Sequence, residues 1–471
     1  MQIDLSENGA VPDRTYDVCI VGAGAAGITL AIKLAEAGKS VALCEGGQLY
    51  FSGASQDNYI GEVIGDSYFD LDTTRLRFFG GSTNHWGGMS RMLDEIDFQR
   101  DYLGPEFVWP IDKTDLDPYF AEACSIIEVP SEFDDELLDT AVGVRRIDFK
   151  FSAPVHFADK FVDTITDSSR IDLLLSANFV NLDGPATTAT SAVFSDYEGN
   201  EHRVNAEKFV FAMGGIENSR MLLWLRERHA SRFFDDTTPL GQYWMEHPHF
   251  ALGEALVGTN IESGKYYSLT AEVQRDNQIL NCMLEMDRQG DSATRRMVRD
   301  LLCVAPGLGE RMAGLANRNL VCGVRFKSAW EQAPNPSNRV KLSDSARDQF
   351  GIPSVELHWR KQPLDRQTVV ASARIYNDWL LGDDLGRIRL DSWLLDNEDY
   401  PENAELAGNH HMGGTRMGRR RDLSVVDENC RIHGSENLYA AGSSVFTTSG
   451  HANPTLPILQ MTLRLADHLS T

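Results

Sequence analysis

The chain has 471 residues, of which 42% are hydrophobic, so it can bury a large core, and its length favours two domains over one. Its net charge of −25 repels nucleic acid and anionic membranes, which argues against binding to DNA or RNA. Its seven cysteines are scattered and include no C-x-x-C pair, which argues against a disulfide framework and a zinc ribbon. A reducing compartment fits this cysteine usage.

The N-terminal residues lack the basic region and long apolar stretch of a secretory signal. No uninterrupted apolar run approaches the ~20 residues that span a bilayer. We therefore expect a soluble, cytoplasmic protein without membrane insertion, with export alongside a partner subunit as the alternative. The sequence leaves the oligomeric state open.

A strand–turn–helix–strand pattern opens the chain. Residues 17–27 read DVCIVGAGAAG. The hydrophobic pattern predicts a buried strand over 18–21, a helix over 28–37 closed by glycine, and a second strand over 40–44. This order is typical of a βαβ unit that binds a dinucleotide. The alternative is a glycine turn in an ordinary α/β sheet.

Each glycine of this turn has a predicted task. Gly22 allows the tight turn, Gly24 lets a pyrophosphate approach the backbone, and Gly27 allows the helix to pack on the strand. The helix N-terminus then faces the phosphates, and Glu45 stands where an acid accepts a ribose hydroxyl.

Later segments return the chain to the same sheet. Residues 208–220 and 438–444 each predict a buried strand followed by a glycine turn. The stretch 245–400 between them has alternating strand patterns, for example over 339–342 and 354–359. The position of this stretch predicts an insertion between two returns to the cofactor sheet.

Two C-terminal tracts suggest a catalytic pair. Residues 408–418 read GNHHMGGTRMG, and residues 449–455 read SGHANPT. A histidine in a glycine-rich turn can accept a proton from a substrate hydroxyl, and a second polar side chain can hold the same oxygen. Taken alone, each tract also fits a histidine or asparagine with only a structural role.

The motifs together resemble the glucose–methanol–choline (GMC) oxidoreductase family of flavoproteins, over essentially the whole chain. Besides the turn at 17–27 and the two C-terminal tracts, the resemblance rests on RFFGGSTNHWGG at 77–88, WPI at 109–111, DPY at 117–119 and EQAPNPSNRV at 331–340. It implies that the dinucleotide is FAD and that an alcohol carbon is oxidised by hydride transfer to the flavin. The implied fold is α/β: a Rossmann-like FAD-binding domain with an inserted α+β substrate domain on a mainly antiparallel sheet.

The resemblance also gives domain bounds. The first part of the FAD-binding domain is expected at 12–244, with a loop that covers the cofactor at about 75–100. The substrate-binding domain is expected at about 245–400, and residues 401–471 are expected to return to the FAD-binding domain with the catalytic pair.

Catalytic residues follow from the family pattern. The glycine–threonine end of the first tract selects His411 rather than His410 as the base, and Asn453 matches the second position. His451 competes with Asn453 for that position. The Asn-Pro-Thr run is similar to the pyranose-oxidase-like and bacterial sugar dehydrogenase branch, where one asparagine stands in place of a second histidine.

The same resemblance implies further contacts with the cofactor. In that branch a histidine before a tryptophan can be attached covalently to the flavin, so His85 is a candidate for such a bond; a noncovalent hydrogen bond is the alternative. From their position in the chain alone, Phe179 and Val180 are expected at the adenine. The other expected cofactor contacts are Gly81, Ser82, Asn84, Gly442, Ser443, Asn453 and Thr455. No metal site is expected, because the His247-Pro-His249 pair lacks further ligands at recognisable spacing.

The predicted function is FAD-dependent oxidation of a CH–OH group in a sugar-like or other hydroxylated small molecule. A flavin-dependent lyase or isomerase and a noncatalytic flavin-binding module are the alternatives. Oxygen, a quinone or a redox protein is the expected electron acceptor, and the sequence does not choose among them. Substrate identity is to be sought in 245–400, where no motif reveals it.

Overall fold

The computed structural model describes most of the chain at the level of individual residues. The described ranges are 1–7, 9–229, 233–257, 264–287, 311, 324–396, 398–406 and 408–471. The predicted insertion at 245–400 therefore lies partly outside the described residues.

The first sheet of the described chain has eight strands and carries the βαβ unit. Its strands run in the spatial order β1-β9-β3-β2-β12-β11-β10, and β20 pairs with β12. Parallel pairing joins β2 to β3 and to β12, as expected for a doubly wound sheet. The strands are β1 Gln2–Asp4, β2 Thr15–Val21, β3 Val41–Cys44, β9 Ile171–Leu175, β10 Asn178–Asp183, β11 Ser191–Ser195, β12 Glu201–Phe211 and β20 Leu438–Ala440.

The predicted βαβ unit is confirmed with small changes at its ends. The first helix covers Ala25–Glu36 and begins three residues before the predicted start, because Gly24 is already its N-cap. The returns of β12 and β20 to this sheet are also confirmed. The helices of the described chain are α1 Ala25–Glu36, α2 Gly53–Gln56, α3 Phe120–Ile126, α4 Phe157–Thr166, α5 Glu217–His229, α6 Ala271–Asp276, α7 Pro363–Gly382, α8 Ser392–Leu395 and α9 Thr455–Ser470.

A second sheet has seven described strands, all paired antiparallel, in the order β19-β13-β16-β15-β14-β7-β6. The predicted mainly antiparallel sheet is thus confirmed. Two of its strands come from before residue 245, so this sheet is not built from the 245–400 stretch alone. The strands are β6 Glu136–Asp139, β7 Val144–Ile147, β13 His249–Val257, β14 Tyr266–Leu269, β15 Cys282–Asp287, β16 Val324–Trp330 and β19 Gly386–Leu390.

Two smaller sheets connect distant parts of the chain. The predicted strands near 339 and 354 are β17 Arg339–Arg347 and β18 Pro353–Trp359, and β18 pairs in parallel with β4 Gly61–Gly65. Met89–Ser90 (β5) pairs with Lys150–Phe151 (β8).

Among the described residues, the two largest clusters of buried apolar side chains lie around the first sheet and between the antiparallel sheet and α7. Within the described ranges, no helix is both long enough and apolar enough to cross a membrane.

Candidate active site

A cavity of about 400 Å³ lies at the carboxyl ends of β2, β3 and β12, where open α/β sheets bind ligands. It runs from the glycine turn to the two C-terminal tracts. Most of the predicted site residues line it together: Gly22, Gly24, Glu45, Gly81, Ser82, His85, Phe179, His411, Gly442, Ser443, Asn453 and Thr455.

The glycine turn has the geometry that the sequence predicts. Gly22 has φ +105°, which a residue with a side chain rarely adopts. A Cβ on Gly27 would lie 1.9 Å from the Gly22 carbonyl oxygen, so α1 can approach β2 only with glycine there. A Cβ on Gly24 would meet nothing within 4 Å, so space for a ligand lies beside it. No side chain caps α1, and its first N–H groups are available to a phosphate.

Glu45 follows directly after β3 and lines the cavity. Its carboxylate oxygens accept the backbone N–H groups of Ala23 and Gly47, each at 2.9 Å. These bonds tie the turn after β2 to the end of β3. A carboxylate has about four lone-pair positions, so Glu45 keeps acceptor capacity for a ribose hydroxyl.

Three residues of the expected cofactor set, Gly27, Asn84 and Val180, do not line this cavity. The Asn84 side chain donates to the Phe79 carbonyl (2.9 Å) and accepts from Ala158 N–H (3.3 Å), so it stabilises its own loop. Val180 has a carbonyl that accepts a hydrogen bond from Trp224 Nε1 at 3.0 Å. Strand alternation explains this difference, because the neighbouring Phe179 points to the other side of β10 and lines the cavity.

Cationic side chains also line the cavity, and the sequence analysis did not single them out. Arg75 and Arg77 follow the turn before the glycine loop, and Arg220 comes from α5. Arg220 Nη1 lies 2.8 Å from the Glu217 carboxylate, so part of this charge is balanced. His85 lines the same cavity, and partial burial lowers the pKa of its imidazole, which favours the neutral form.

His411 is buried at the cavity wall, with 8% of its surface exposed. Its Nε2 lies 3.2 Å from the Tyr68 hydroxyl oxygen, and that hydroxyl donates to the Glu246 carboxylate. Since the Tyr68 proton is committed to Glu246, the tyrosine oxygen accepts from Nε2–H, and His411 Nδ1 carries the lone pair. Nδ1 has no hydrogen-bond partner among the described residues. Burial lowers the pKa of His411 to about 3, so the ring is neutral at pH 7.

Asn453 contacts His410 and not His411. Its Nδ2 lies 3.4 Å from His410 Nε2. The two neighbouring histidines have different partners because Tyr68 holds His411, whereas His410 Nδ1 lies 3.0 Å from His247 Nδ1. Both histidines and Asn453 line the cavity.

Glu246 connects these groups and was missed as a functional residue. It is fully buried and accepts the backbone N–H groups of His247 (2.8 Å) and His410 (2.9 Å) as well as the Tyr68 hydroxyl. Burial raises the pKa of its carboxyl to about 7. The run EHPH at 246–249 was the available signal, but Tyr68 has no sequence motif around it.

His451, the residue that competes with Asn453 for the second position, lies among buried charged groups. It is 2% exposed, does not line the cavity and lies within 4.8 Å of the carboxylates of Asp94 and Asp97. Arg91 bonds Asp94 at 2.9 Å and Arg100 bonds Asp97 at 2.6 Å. Because guanidinium groups already pair with both carboxylates, this cluster is a buried ion-pair network and offers little to a metal ion.

Two family models match the chain in the regions that build this cavity. The model described as FAD dependent oxidoreductase matches residues 17–125, and the model described as GMC oxidoreductase matches residues 334–462. The first match contains the glycine turn and His85, and the second contains both histidines and Asn453.

Curated relatives and a solved structure are similar to the chain. The fructose dehydrogenase large subunit of Gluconobacter japonicus is 27% identical over 59% of this chain and 50% of that protein. The 2-methyl-1,2-propanediol dehydrogenase of Mycolicibacterium austroafricanum is 24% identical over 60% and 51%. The chain thus spans about half the length of these relatives. Pyridoxine 4-oxidase from Mesorbium loti shares the fold, with a TM-score of 0.59 at 15% identity over 96% of this chain and 98% of that chain.

The fold and the cavity define an FAD-binding flavoprotein. The residues fit the cofactor, since the open side of Gly24, the uncapped start of α1 and the Glu45 carboxylate suit a pyrophosphate and a ribose. The chain is similar to FAD dependent oxidoreductases over residues 17–125 and to GMC oxidoreductases over residues 334–462.

Proposed function

We propose that this protein catalyses FAD-dependent oxidation of a CH–OH group in a sugar-like or other hydroxylated small molecule. The observation that carries the proposal is the neutral, buried imidazole of His411 in the wall of the cavity that holds the glycine turn. A noncatalytic flavin-binding module would have no need for an unpartnered basic nitrogen at that point.

The chemistry requires a base, because hydride loss from a C–H bond builds positive charge on carbon unless the hydroxyl proton also leaves. His411 Nδ1 accepts this proton, while Tyr68 holds Nε2–H and thereby fixes the tautomer. Asn453 cannot accept the proton at neutral pH, but its amide N–H donates to the reacting oxygen and orients it. Bound FAD supplies the hydride acceptor.

The relatives support a polyol or sugar as substrate. Fructose dehydrogenase and 2-methyl-1,2-propanediol dehydrogenase are named for substrates with several hydroxyl groups. We propose that the antiparallel sheet and the 245–400 stretch recognise the substrate, as the predicted domain bounds imply. The electron acceptor is an oxygen molecule, a quinone or a redox protein, and assays with each distinguish an oxidase from a dehydrogenase.

His85 is proposed as the covalent attachment point of the flavin. Its neutral imidazole lines the cavity in the loop after Gly80, which has φ +93° and turns the chain sharply. A neutral ring nitrogen is the nucleophile that such a bond requires; the flavin methyl carbon would lose a proton, and the two electrons left on the flavin would pass to the electron acceptor of the enzyme. Acid precipitation of the FAD-loaded protein should give a yellow pellet, and that of the His85→Ala variant a colourless one. A colourless wild-type pellet under a yellow supernatant would leave His85 with noncovalent contacts only.

An anaerobic panel of alcohols and sugars tests the proposed reaction. Mixing with a substrate should remove the visible absorbance of the oxidised flavin and yield the matching carbonyl compound. A lyase or isomerase would yield product while the flavin stays oxidised, and a binding module would do neither.

A further inference from the structure

A chain of hydrogen bonds runs from a backbone carbonyl to the amide of Asn453. His247 Nε2 lies 3.2 Å from the Ser449 carbonyl oxygen, and His247 Nδ1 lies 3.0 Å from His410 Nδ1. His410 Nε2 in turn lies 3.4 Å from Asn453 Nδ2. His247 belongs to the run EHPH, for which the proposed reaction has so far given no role.

The contact with the Ser449 carbonyl shows which ring nitrogen of His247 carries the proton. A carbonyl oxygen can only accept, so the Ser449 contact requires a proton on His247 Nε2. His247 is 2% exposed, and burial lowers its pKa to about 4, so the ring is neutral at pH 7 and carries no second proton. His247 Nδ1 is therefore an acceptor.

The donor and the acceptor in each remaining contact follow from this assignment. Because His247 Nδ1 accepts, His410 Nδ1 must donate and carries the proton of that ring. Burial lowers the pKa of His410 well below its usual value, so this ring is also neutral and its Nε2 accepts. The group 3.4 Å from Nε2 must be a donor, which is the NH₂ side of the Asn453 amide.

We propose that His247 and His410 are positioning residues that hold the Asn453 amide in one orientation. With one N–H directed to His410, the amide cannot flip, since a flip would set its oxygen against the Nε2 lone pair. The second N–H is then available to donate to the substrate oxygen in the cavity that Asn453 lines. This inference rests on the proposed function, because that reaction gives the second N–H its purpose.

The backbone around the two histidines is fixed as well. The Glu246 carboxylate accepts the N–H groups of both His247 and His410, so one buried side chain sets the relative position of the two rings. The sequence order Glu246-His247 thus supplies both the anchor and the first ring of the chain of hydrogen bonds.

The tautomers are directly measurable by nitrogen-15 NMR of FAD-loaded, substrate-free protein with labelled histidine. His247→Asn and His410→Asn variants assign the two rings among the 12 histidines. At neutral pH we expect His247 protonated only at Nε2 and His410 only at Nδ1. A proton on His410 Nε2, or averaged shifts that indicate exchange between tautomers, would overturn the inference whether or not any alcohol is oxidised.

A matched pair of nearly isosteric variants tests the effect on the reaction. His247→Asn offers a carbonyl oxygen as acceptor for His410 Nδ1–H, whereas His247→Leu offers a methyl group. Since one hydrogen bond is lost, anaerobic flavin reduction should slow about tenfold in His247→Leu and stay within about threefold in His247→Asn. Equal rates in the two variants would contradict the positioning role. If the flavin of the wild-type protein stays oxidised with every alcohol, the proposed function is refuted. The NMR result then decides the tautomers by itself.

Discussion

At the scale of residues, the site depends on two adjacent histidines with different tasks. His411 is held by Tyr68 and presents an unpartnered Nδ1, while His410 is held by His247 and contacts Asn453. Both rings are neutral because burial disfavours the imidazolium form. A neutral base next to an oriented amide is what removal of a hydroxyl proton requires.

Replacement of His411 by alanine should slow flavin reduction by at least ~100-fold, because the base is lost. Bound FAD should remain, since the substitution leaves Gly24 and Glu45 unchanged, and these residues are expected to hold the pyrophosphate and the ribose. Anaerobic stopped-flow absorbance measures the rate, and the exposed His468 provides a control variant, His468→Ala. Reduction of His411→Ala at nearly the wild-type rate would exclude His411 as the base.

The pH dependence of this step follows from the lowered pKa of His411. The imidazole can accept a proton at any pH above its pKa of about 3. It loses this ability only as the pH falls through that value. In a Glu246→Gln variant, which removes the neighbouring carboxyl whose pKa burial raises to about 7, the rate of flavin reduction should therefore change little between about pH 8 and pH 5, where an unperturbed histidine would become protonated. Stopped-flow reduction with folding checked by circular dichroism measures this. A fall of about tenfold by pH 5 would mean that the base has an ordinary pKa.

The sequence identified His411 and Asn453 as cavity residues, but not what each side chain contacts. The contacts of His411 and His410 come from Tyr68 and Glu246, which lie 343 and 164 residues away along the chain. No local pattern encodes such pairs.

At the scale of elements, the glycine turn and α1 were predictable because their determinants are local. The turn needs a positive φ at Gly22 and a missing Cβ at Gly27, and both requirements are visible in the spacing of glycines. The antiparallel sheet was less predictable. Strands β6 and β7 join it from before residue 245, since pairing between strands depends on long-range packing.

Two alanine substitutions in the turn should change different properties: one lowers the stability of the fold, and the other weakens FAD binding. Gly27→Ala places a Cβ 1.9 Å from the Gly22 carbonyl oxygen, so α1 must shift and the free energy of unfolding should fall by about 1–3 kcal/mol. Gly24→Ala meets nothing within the chain, so it should unfold like the wild type but bind FAD at least about tenfold more weakly, because the Cβ fills ligand space. Thermal unfolding of the apoprotein and FAD titration separate the two effects. Equal FAD affinity in Gly24→Ala and wild type would contradict the proposal that the pyrophosphate lies beside Gly24.

At the scale of the whole molecule, the site combines segments from both ends of the chain. The glycine turn near residue 22, the loop near residue 85 and the tracts near residues 411 and 453 surround one cavity. The fold was predictable from the order of these motifs. Substrate identity was not, because no motif describes the shape of the region that we propose to recognise the substrate.

Anaerobic reduction of the FAD-loaded protein by an alcohol and by the same alcohol deuterated at the carbinol carbon tests the central claim most directly. We predict that one equivalent of alcohol bleaches the flavin and yields one equivalent of carbonyl product, and that deuterium slows the bleaching because the C–H bond breaks in that step. A flavin that stays oxidised with every alcohol and sugar tested, or product formed without bleaching, would contradict the account.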